Sequence, residues 1–401
     1  MTRDGENGEA RDADSLREQA SLKRDWTLFT ILTFLFTFGF SVYSGPFQNY
    51  LRDTFHSGPI GLGGLESIRE TPGLLAALTA GTLVMLAEAH VAALGLAITG
   101  IGIALTGYMP SYFSLVMITV FWSTGFHLYA TVSSAITLAL AKGKEGGRHL
   151  GRMSGVGALA TILGLALSWG TSKLFPALPY SVYFAVGGVS IFASAVLCWF
   201  LSAHAEGGAR SRLVLRKEYG LYYLLIFLEG CRRQIFSIFA SFALILVYHV
   251  PVQNMLLLQF INSIMIAATA PAIGRVVDRL GERKPLTFYS IALIVVFFGY
   301  ATSRTVGALY ALFLLDNVLF SFGVGFTTYL HRIVRPGELT PCLAMGITMN
   351  HIAAVTVPIG GAILWEHYRN YQLPFWVGVG IAGVSLIATR WLPKERVALD
   401  L

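Results

Sequence analysis

The chain has 401 residues, of which 55% are hydrophobic and 13% are charged, and its mean hydropathy is +0.63. Soluble proteins carry about 25% charged residues, so this chain lacks the charge that a surface in water needs. The composition excludes a soluble globular protein and predicts an all-α polytopic membrane protein. The net charge of +7 requires no nucleic-acid partner, because basic loops beside an anionic lipid leaflet explain it.

Apolar runs long enough to cross a bilayer, roughly 20 residues each, recur along the whole chain. They predict twelve transmembrane helices at 26–48, 60–86, 91–109, 111–141, 150–172, 179–203, 218–248, 252–274, 284–303, 305–333, 340–366 and 372–393. The polar residues 1–25 and 394–401 are expected to form cytoplasmic tails.

The distribution of basic residues predicts the orientation. Placing both termini inside puts 22 of the 29 Lys and Arg residues on the cytoplasmic side and four outside, with three inside the spans. Because cytoplasmic loops are enriched in Lys and Arg, we expect both termini in the cytoplasm and the protein in the cell (plasma or inner) membrane, as a monomer.

An internal repeat divides the chain. A shift of 193 positions places His56 on His249 and Gly81 on Gly274, and matches continue in the same order at nearby shifts. The repeat predicts two pseudo-symmetric six-helix bundles, 26–203 and 218–393, with the cytoplasmic loop 204–217 between them. Bundles related in this way enclose a cavity in many transporters.

The loop after the eighth span, GRVVDRLGERKPL (274–286), contains a glycine, an Asp-Arg pair and a basic pair before the next helix. It resembles the cytoplasmic loop signature of the major facilitator superfamily (MFS), and the helix count, orientation and repeat extend the resemblance over the whole chain. The resemblance implies an MFS fold in which Gly274 allows close helix approach. It also implies a cytoplasmic latch at Asp278 and Arg279 that breaks and re-forms during gating.

The corresponding loop of the first half departs from this signature. GTLVMLAEAHVAALG (81–95) keeps Gly81, but Met85 and Leu86 replace the Asp-Arg pair. One of the two latches is therefore degenerate.

The second span carries Glu66, Arg69 and Glu70, whose spacing places them on one helix face. Charges at the bilayer centre cost about 2.5–3.5 kcal/mol on insertion scales, so they should face a cavity or a partner. Two interpretations stay open. Glu66 and Glu70 carry protons while Arg69 orients the substrate, or the three form an internal ion pair.

The seventh span contains the segment LEGCRRQIF, with Glu229 before Arg232 and Arg233. One carboxylate leaves one arginine to be met elsewhere, by Asp316 of the tenth span or by a ligand. We expect Arg232 to be the principal substrate anchor, Glu229 to fix its rotamer, and Arg233 to share the anion or pair with another helix. A wholly internal ion-pair network is the alternative.

Further candidates lie in other spans. In the superfamily that the chain resembles, spans 1, 4, 7 and 10 line the cavity, which favours His127, Glu229, Arg232 and Asp316. Asn350 and His351 of the eleventh span are further candidate substrate contacts. Glu229 and Asp316 follow Glu66 and Glu70 as candidates for proton coupling.

The predicted function is a secondary active transporter that moves a small organic or oxo-anion by alternating access, coupled to protons. The sequence contains no phosphate-binding GxxxxGK[ST] loop and no catalytic motif, so we expect neither an enzyme nor a cofactor, and no dedicated metal site. One alternative is a metal-ion transporter, although intramembrane arginines repel a cation. Its ligands would be His127, His331, His351, Glu66, Glu70 and Asp316. Another is a non-transporting sensor or assembly factor on the same fold.

Overall fold

The computed structural model describes residues 3–78, 88–141, 146–202, 214–335 and 337–393. These residues form twelve helices, which confirms the predicted all-α fold class. Nine described helices are long and apolar enough to cross a membrane. The helices are α1 (Arg3–Phe55), α2 (Pro59–Leu78), α3 (Glu88–Thr106), α4 (Tyr112–Leu140), α5 (Gly146–Leu174), α6 (Tyr180–Trp199), α7 (220–246), α8 (Val252–Leu280), α9 (Arg283–Thr302), α10 (306–333), α11 (Leu339–Tyr368) and α12 (Leu373–Thr389).

The beginning of α1 differs from the expectation. The helix starts at Arg3 and not near residue 26, so the polar segment is helical and continuous with the first span. The end of this polar segment is held against the residues that follow α6, because the backbone N–H and the hydroxyl of Ser202 donate to Asp25. Asp25 is fully buried, and the contact with Ser202 satisfies its carboxylate.

Glycines bring the helices of the first half into backbone contact. Gly39 of α1 faces Gly187 of α6, and Gly100 of α3 faces Gly188 of α6. A Cβ added to Gly187 would lie 2.6 Å from the carbonyl oxygen of Gly39. Small residues at such crossings permit close approach, which is what drives helices together in lipid.

The same unusual chain reversal follows the first helix of each half. His56 and His249 have φ angles of 48° and 52°, in the left-handed region that non-glycine residues rarely adopt. Next to them, Ser57 N–H donates to the carbonyl of Leu51 at 3.2 Å, and 193 positions later Val250 N–H donates to Leu244 at 3.0 Å. The recurrence agrees with the duplication that the sequence predicts.

Hydrogen bonds join the two halves at one end of the bundle. Asn49 donates to the carbonyl of Val250, Gln259 donates to that of Gly45, and Ile359 N–H donates to Ser67. Arg52 adds a bond to Ile245 of α7 at 2.8 Å. In the described residues these contacts lie at the end of the helices that is remote from the chain termini. The two bundles therefore touch each other at that end.

The opposite end is open where the latch was expected. A Cβ on Gly274 would meet no atom within 4 Å, so the predicted close helix approach is absent from this conformation. Asp278 and Arg279 are exposed, and neither has an ion pair among the described residues. Gly274, Asp278 and Arg279 lack these contacts because the described parts of the two halves touch each other at the opposite end of the bundle in this conformation. The first-half loop with Met85 and Leu86 lies outside the described residues.

We predict that the α1–α6 crossing is sensitive to a single methyl group. Gly187→Ala should lower the thermal unfolding midpoint, because overpacking of a tight contact costs about 1–3 kcal/mol. Tryptophan fluorescence of the detergent-purified protein measures this. Gly383→Ala of α12 is the control, since its Cβ would meet no atom within 4 Å, and should leave the midpoint unchanged or raise it slightly. Equal midpoints for the two variants would contradict the packing argument.

Candidate functional site

Two adjoining cavities lie between the halves, with volumes of about 450 Å³ and 540 Å³. Four residues line both cavities: Ser44, Gln48, Arg233 and Ser237. The first cavity extends towards α8 and α10, and the second towards α2, α4 and α11. Each volume is within the range of about 300–1,000 Å³ that is usual for small-molecule sites.

A buried ion-pair network flanks the first cavity. Arg232 of α7 donates from Nη1 to Asp316 Oδ2 at 2.8 Å and from Nη2 to Glu229 Oε1 at 2.5 Å. The Tyr289 hydroxyl of α9 donates to the other oxygen of Glu229. The side chain of Arg232 is only 3% exposed. Two carboxylates therefore hold this guanidinium, and it is almost wholly buried, although Arg232 forms part of the wall of the first cavity.

Arg233, the next residue, has the opposite environment. It is exposed to both cavities, and the described residues offer it no ion pair. Its guanidinium carbon lies 5.2 Å from the centre of the Phe320 ring, on which Arg232 also rests at 5.4 Å. Adjacent residues point about 100° apart around a helix. Because Asp316 lies on the side of the helix that carries Arg232, Arg233 points away from this carboxylate.

This geometry corrects one expectation about the cluster. Arg232 was expected to be the arginine with an unmet charge, and Asp316 was considered as a second partner for the pair. The second carboxylate does pair with Arg232, so the guanidinium that remains unpaired among the described residues is that of Arg233.

Both helices that carry this cluster lose regular α-helical geometry beside it. Helix α7 is α-helical over Gly220–Gln234, forms a π-helical turn over Ile235–Ala240 and resumes at Ser241–Leu246. Helix α10 contains a 3₁₀ turn at Phe320–Gly323. Such irregular turns are frequent at functional sites and hinges. The π-helical turn contains Ser237, which lines both cavities.

A second ion-pair cluster flanks the second cavity. Arg69 of α2 lies 2.7 Å from Glu66 Oε2 and 2.7 Å from Glu70 Oε1. The predicted internal ion pair is thus present, yet all three side chains also line the cavity. The two interpretations of this helix face are therefore compatible.

The second oxygen of Glu70 faces two histidines. Its Oε2 lies 3.9 Å from Nε2 of His127 on α4 and 3.3 Å from Nδ1 of His351 on α11. Gly73 of α2 makes room for both rings, because a Cβ there would lie 2.4 Å from His127 Cε1 and 2.6 Å from His351 Cε1. The cluster includes residues of both halves. The sequence grouped them with three other residues as ligands of the metal-transport alternative, but it did not show that these three in particular would meet.

The other candidates are distributed as follows. Asn350 lines the second cavity beside His351, and Asp316 lines the first. His331 is exposed near the end of α10, next to the Arg332–Glu282 ion pair. Of the six ligands of the metal-transport alternative, Glu70, His127 and His351 are brought together. Asp316 and His331 lie away from them.

Several polar cavity residues were not singled out from the sequence. Ser44 and Ser237 line both cavities, and Tyr289 orients Glu229. Serines in apolar helices commonly bond to their own backbone, so these gave no distinctive signal. The sequence also gave no signal for Tyr289 of α9, because its contact with α7 depends on how the two helices are rotated relative to each other.

Residues 29–332 match the family model of the Major Facilitator Superfamily. The chain belongs to the Major Facilitator Superfamily. No curated protein is detectably similar in sequence. Among solved structures, a single-site variant of the nucleoside transporter NupG aligns with a TM-score of 0.76 at 15% identity, covering 92% of this chain and 99% of that one.

Other MFS structures align almost as well. A bacterial homologue of the iron transporter ferroportin, in an inward-facing state, gives a TM-score of 0.73 at 15% identity and covers 92% of this chain and 98% of its own. The xylose transporter XylE from E. coli gives 0.67 at 14% identity, covering 93% and 99%. The expected family and fold are confirmed. The protein is a multi-pass membrane transporter of this superfamily, whose members bind small molecules.

We predict that the two neighbouring arginines differ strongly in their contribution to stability. Arg232→Gln should lower the unfolding midpoint strongly, because removing one partner of a buried ion pair costs about 3–5 kcal/mol. Arg233→Gln is the matched control and should unfold close to wild type, because its charge is exposed to the cavity. Thermal unfolding in detergent compares the two. Similar losses in both variants would show that Arg233 also contributes to the network.

Proposed function

We propose that the protein is a secondary transporter that moves a small polar organic anion or oxo-anion by alternating access, coupled to protons. The observation that carries the proposal is the position of Arg233. Its guanidinium lies between two cavities at the interface of the halves and has no ion pair among the described residues.

The chemistry of this guanidinium suits an anionic group. A guanidinium presents five N–H donors in a planar fork, which matches a carboxylate or phosphate-like group in a bidentate arrangement. Arg232 cannot serve in this way, since its own donors are directed at Glu229 and Asp316. The role of substrate anchor that the sequence favoured for Arg232 therefore passes to Arg233.

Uncharged polar groups complete the surroundings. Gln48 and Asn262 line the first cavity, and an amide oxygen of each lacks a partner in the described residues. Asn317, Ser41 and Ser263 add further hydrogen-bonding groups to the same cavity. Such walls suit a solute with hydroxyl or amide groups in addition to its charge. They also favour a transport role over a static sensor, which would need no polar cavity.

The conformation fits one state of an alternating-access cycle. The halves are joined at the end remote from the termini, so with the cytoplasmic termini that the basic loops favour, this is an inward-facing state. Transport then requires the outer contacts to break and the cytoplasmic ends to approach. Gly274, Asp278 and Arg279 would come into contact in that second state.

Proton coupling is assigned to the α2 cluster. Glu66 and Glu70 share the single charge of Arg69, so one carboxylate charge is in excess unless a proton or a histidine meets it. Burial disfavours an unmet carboxylate, and the cavity gives protons a route to it. Glu229 and Asp316 remain secondary candidates, because their network is sealed from the cavity to a greater extent.

Metal-ion transport is less well supported. Only three of the six proposed ligands converge, and Arg69 and Arg233 line the same cavity, where they would repel a cation in transit. The solved neighbours include transporters of nucleosides, xylose and iron, so the fold alone selects no substrate.

We predict that polar anions stabilise the purified protein through Arg233. A thermal-shift panel of carboxylates, phosphorylated compounds, their neutral analogues and cations should give positive shifts for anions. Arg233→Gln should abolish the shifts, and Arg233→Lys should weaken them because lysine keeps the charge but not the fork. The exposed Arg304→Gln is the matched control. If neutral analogues stabilise equally, or if Arg233→Gln keeps the shifts, the anion proposal is wrong.

We further predict that Glu66→Gln and Glu70→Gln uncouple transport from protons. Uptake of a stabilising anion into proteoliposomes should lose its response to an imposed pH gradient, while exchange without a gradient persists. Glu366→Gln, on the exposed end of α11, should respond like wild type. An undiminished gradient response in both α2 variants would exclude these residues as the coupling groups.

A further inference from the structure

We propose that Glu70, His127 and His351 form a binding site for a divalent transition-metal ion such as Zn²⁺. The ion would bridge the two halves and hold them closed at the end remote from the termini. The site is regulatory and is not a station for the transported solute, so it does not depend on the identity of that solute.

The distances fit a three-ligand site. Glu70, His127 and His351 each offer a ligand atom, and these atoms all lie within 4.8 Å of one another. Glu70 Oε2 is 3.3 Å from Nδ1 of His351 and 3.9 Å from Nε2 of His127. Zinc bonds of about 2.0–2.2 Å in a tetrahedron place neighbouring ligand atoms roughly 3.3–3.6 Å apart. One edge of the triangle already has this length, and shifts of about 1 Å or less complete it.

The ligand types and their surroundings also suit zinc. Two imidazoles and one carboxylate leave a fourth position for water, as in open zinc sites, and all three residues line the second cavity. The bond from Arg69 to Oε1 fixes the carboxylate and leaves Oε2 for the ion, a second-shell arrangement that orients a ligand. With neutral imidazoles, Arg69 and the two glutamates sum to one negative charge, so the Arg69 charge is already compensated.

The placement of the ligands predicts the effect of the ion. Glu70 and His127 belong to the first half, and His351 belongs to the second. Helices α2 and α11 also meet further out, where Ile359 N–H donates to Ser67. Opening of that end would pull the ligands apart. A bound ion therefore opposes opening, and it should slow transport while stabilising the present conformation.

Metal binding to the full-length protein tests the site directly. Detergent-purified protein stripped with a chelator is titrated with Zn²⁺ by calorimetry and with Co²⁺ by visible absorption. We expect one principal site with a tetrahedral Co²⁺ spectrum. Loss of a second-shell partner alone costs about 10–100-fold in metal affinity, so Glu70→Gln, His127→Gln and His351→Gln should each weaken binding at least tenfold. The exposed His367→Gln is the control and should bind like wild type.

A ligand-preserving variant separates a lost ligand from a damaged fold. His351→Cys should retain Zn²⁺ binding and add a thiolate-to-Co²⁺ charge-transfer band that the wild type lacks. The proposal is overturned if wild type binds no Zn²⁺ in the micromolar range, if the three glutamine variants bind like wild type, or if Co²⁺ gives no thiolate band in His351→Cys.

The bridging role has its own measurement. Ser67 is buried between α2 and α11, so a cysteine there reacts with a thiol reagent only when the halves separate. Zn²⁺ should slow labelling of Ser67→Cys, and adding His351→Gln should remove that effect. Labelling that Zn²⁺ leaves unchanged would refute the bridge between the halves.

Discussion

The cost of burying charge in a membrane governs the arrangement of this protein. Among the described residues, seven acidic and basic side chains line or flank the two cavities. Six of them meet within two clusters, where Arg69 and Arg232 each lie between two carboxylates. An unpaired charge in hydrocarbon is unfavourable, so the remaining group, Arg233, has to face water or a ligand. The cavity supplies that environment, which explains why the exposed arginine and the polar walls occur together.

Tight packing requires regular helices in fixed contact, whereas opening of the cavity requires some helices to bend. Glycine contacts such as Gly39 with Gly187 make the first half rigid, and rigid bundles can rotate as bodies. The helices at the cavity are less regular, with a π-helical turn in α7 and a 3₁₀ turn in α10. Local irregularity beside rigid packing gives a two-state interface its hinge positions.

Much of the fold could be predicted from the sequence, because span length and basic loops follow directly from bilayer physics. The observed helix bounds lie close to the predicted spans, apart from α1, whose polar beginning gave no hydropathy signal. Helical spacing also identified the charged residues of both clusters. Spacing along one helix cannot show which side chains of a neighbouring helix it will contact. The choice between Arg232 and Arg233, and the meeting of Glu70 with His127 and His351, depended on helix rotation and therefore required the structure.

The two clusters share one composition but differ in access. The carboxylates around Arg232 are enclosed by Tyr289 and by the Phe320 ring, and the side chains of Arg232 and Asp316 are each 3% exposed. The side chains of Arg69 and Glu70 are 25% and 15% exposed. A more deeply buried network exchanges protons and ions with the cavity less readily than a more exposed one. The sealed cluster is therefore suited to fixing Arg233 and its surroundings, and the accessible cluster to sensing what enters. This difference in exposure is why we propose a structural role for the cluster around Arg232 and a coupling role for the cluster around Arg69.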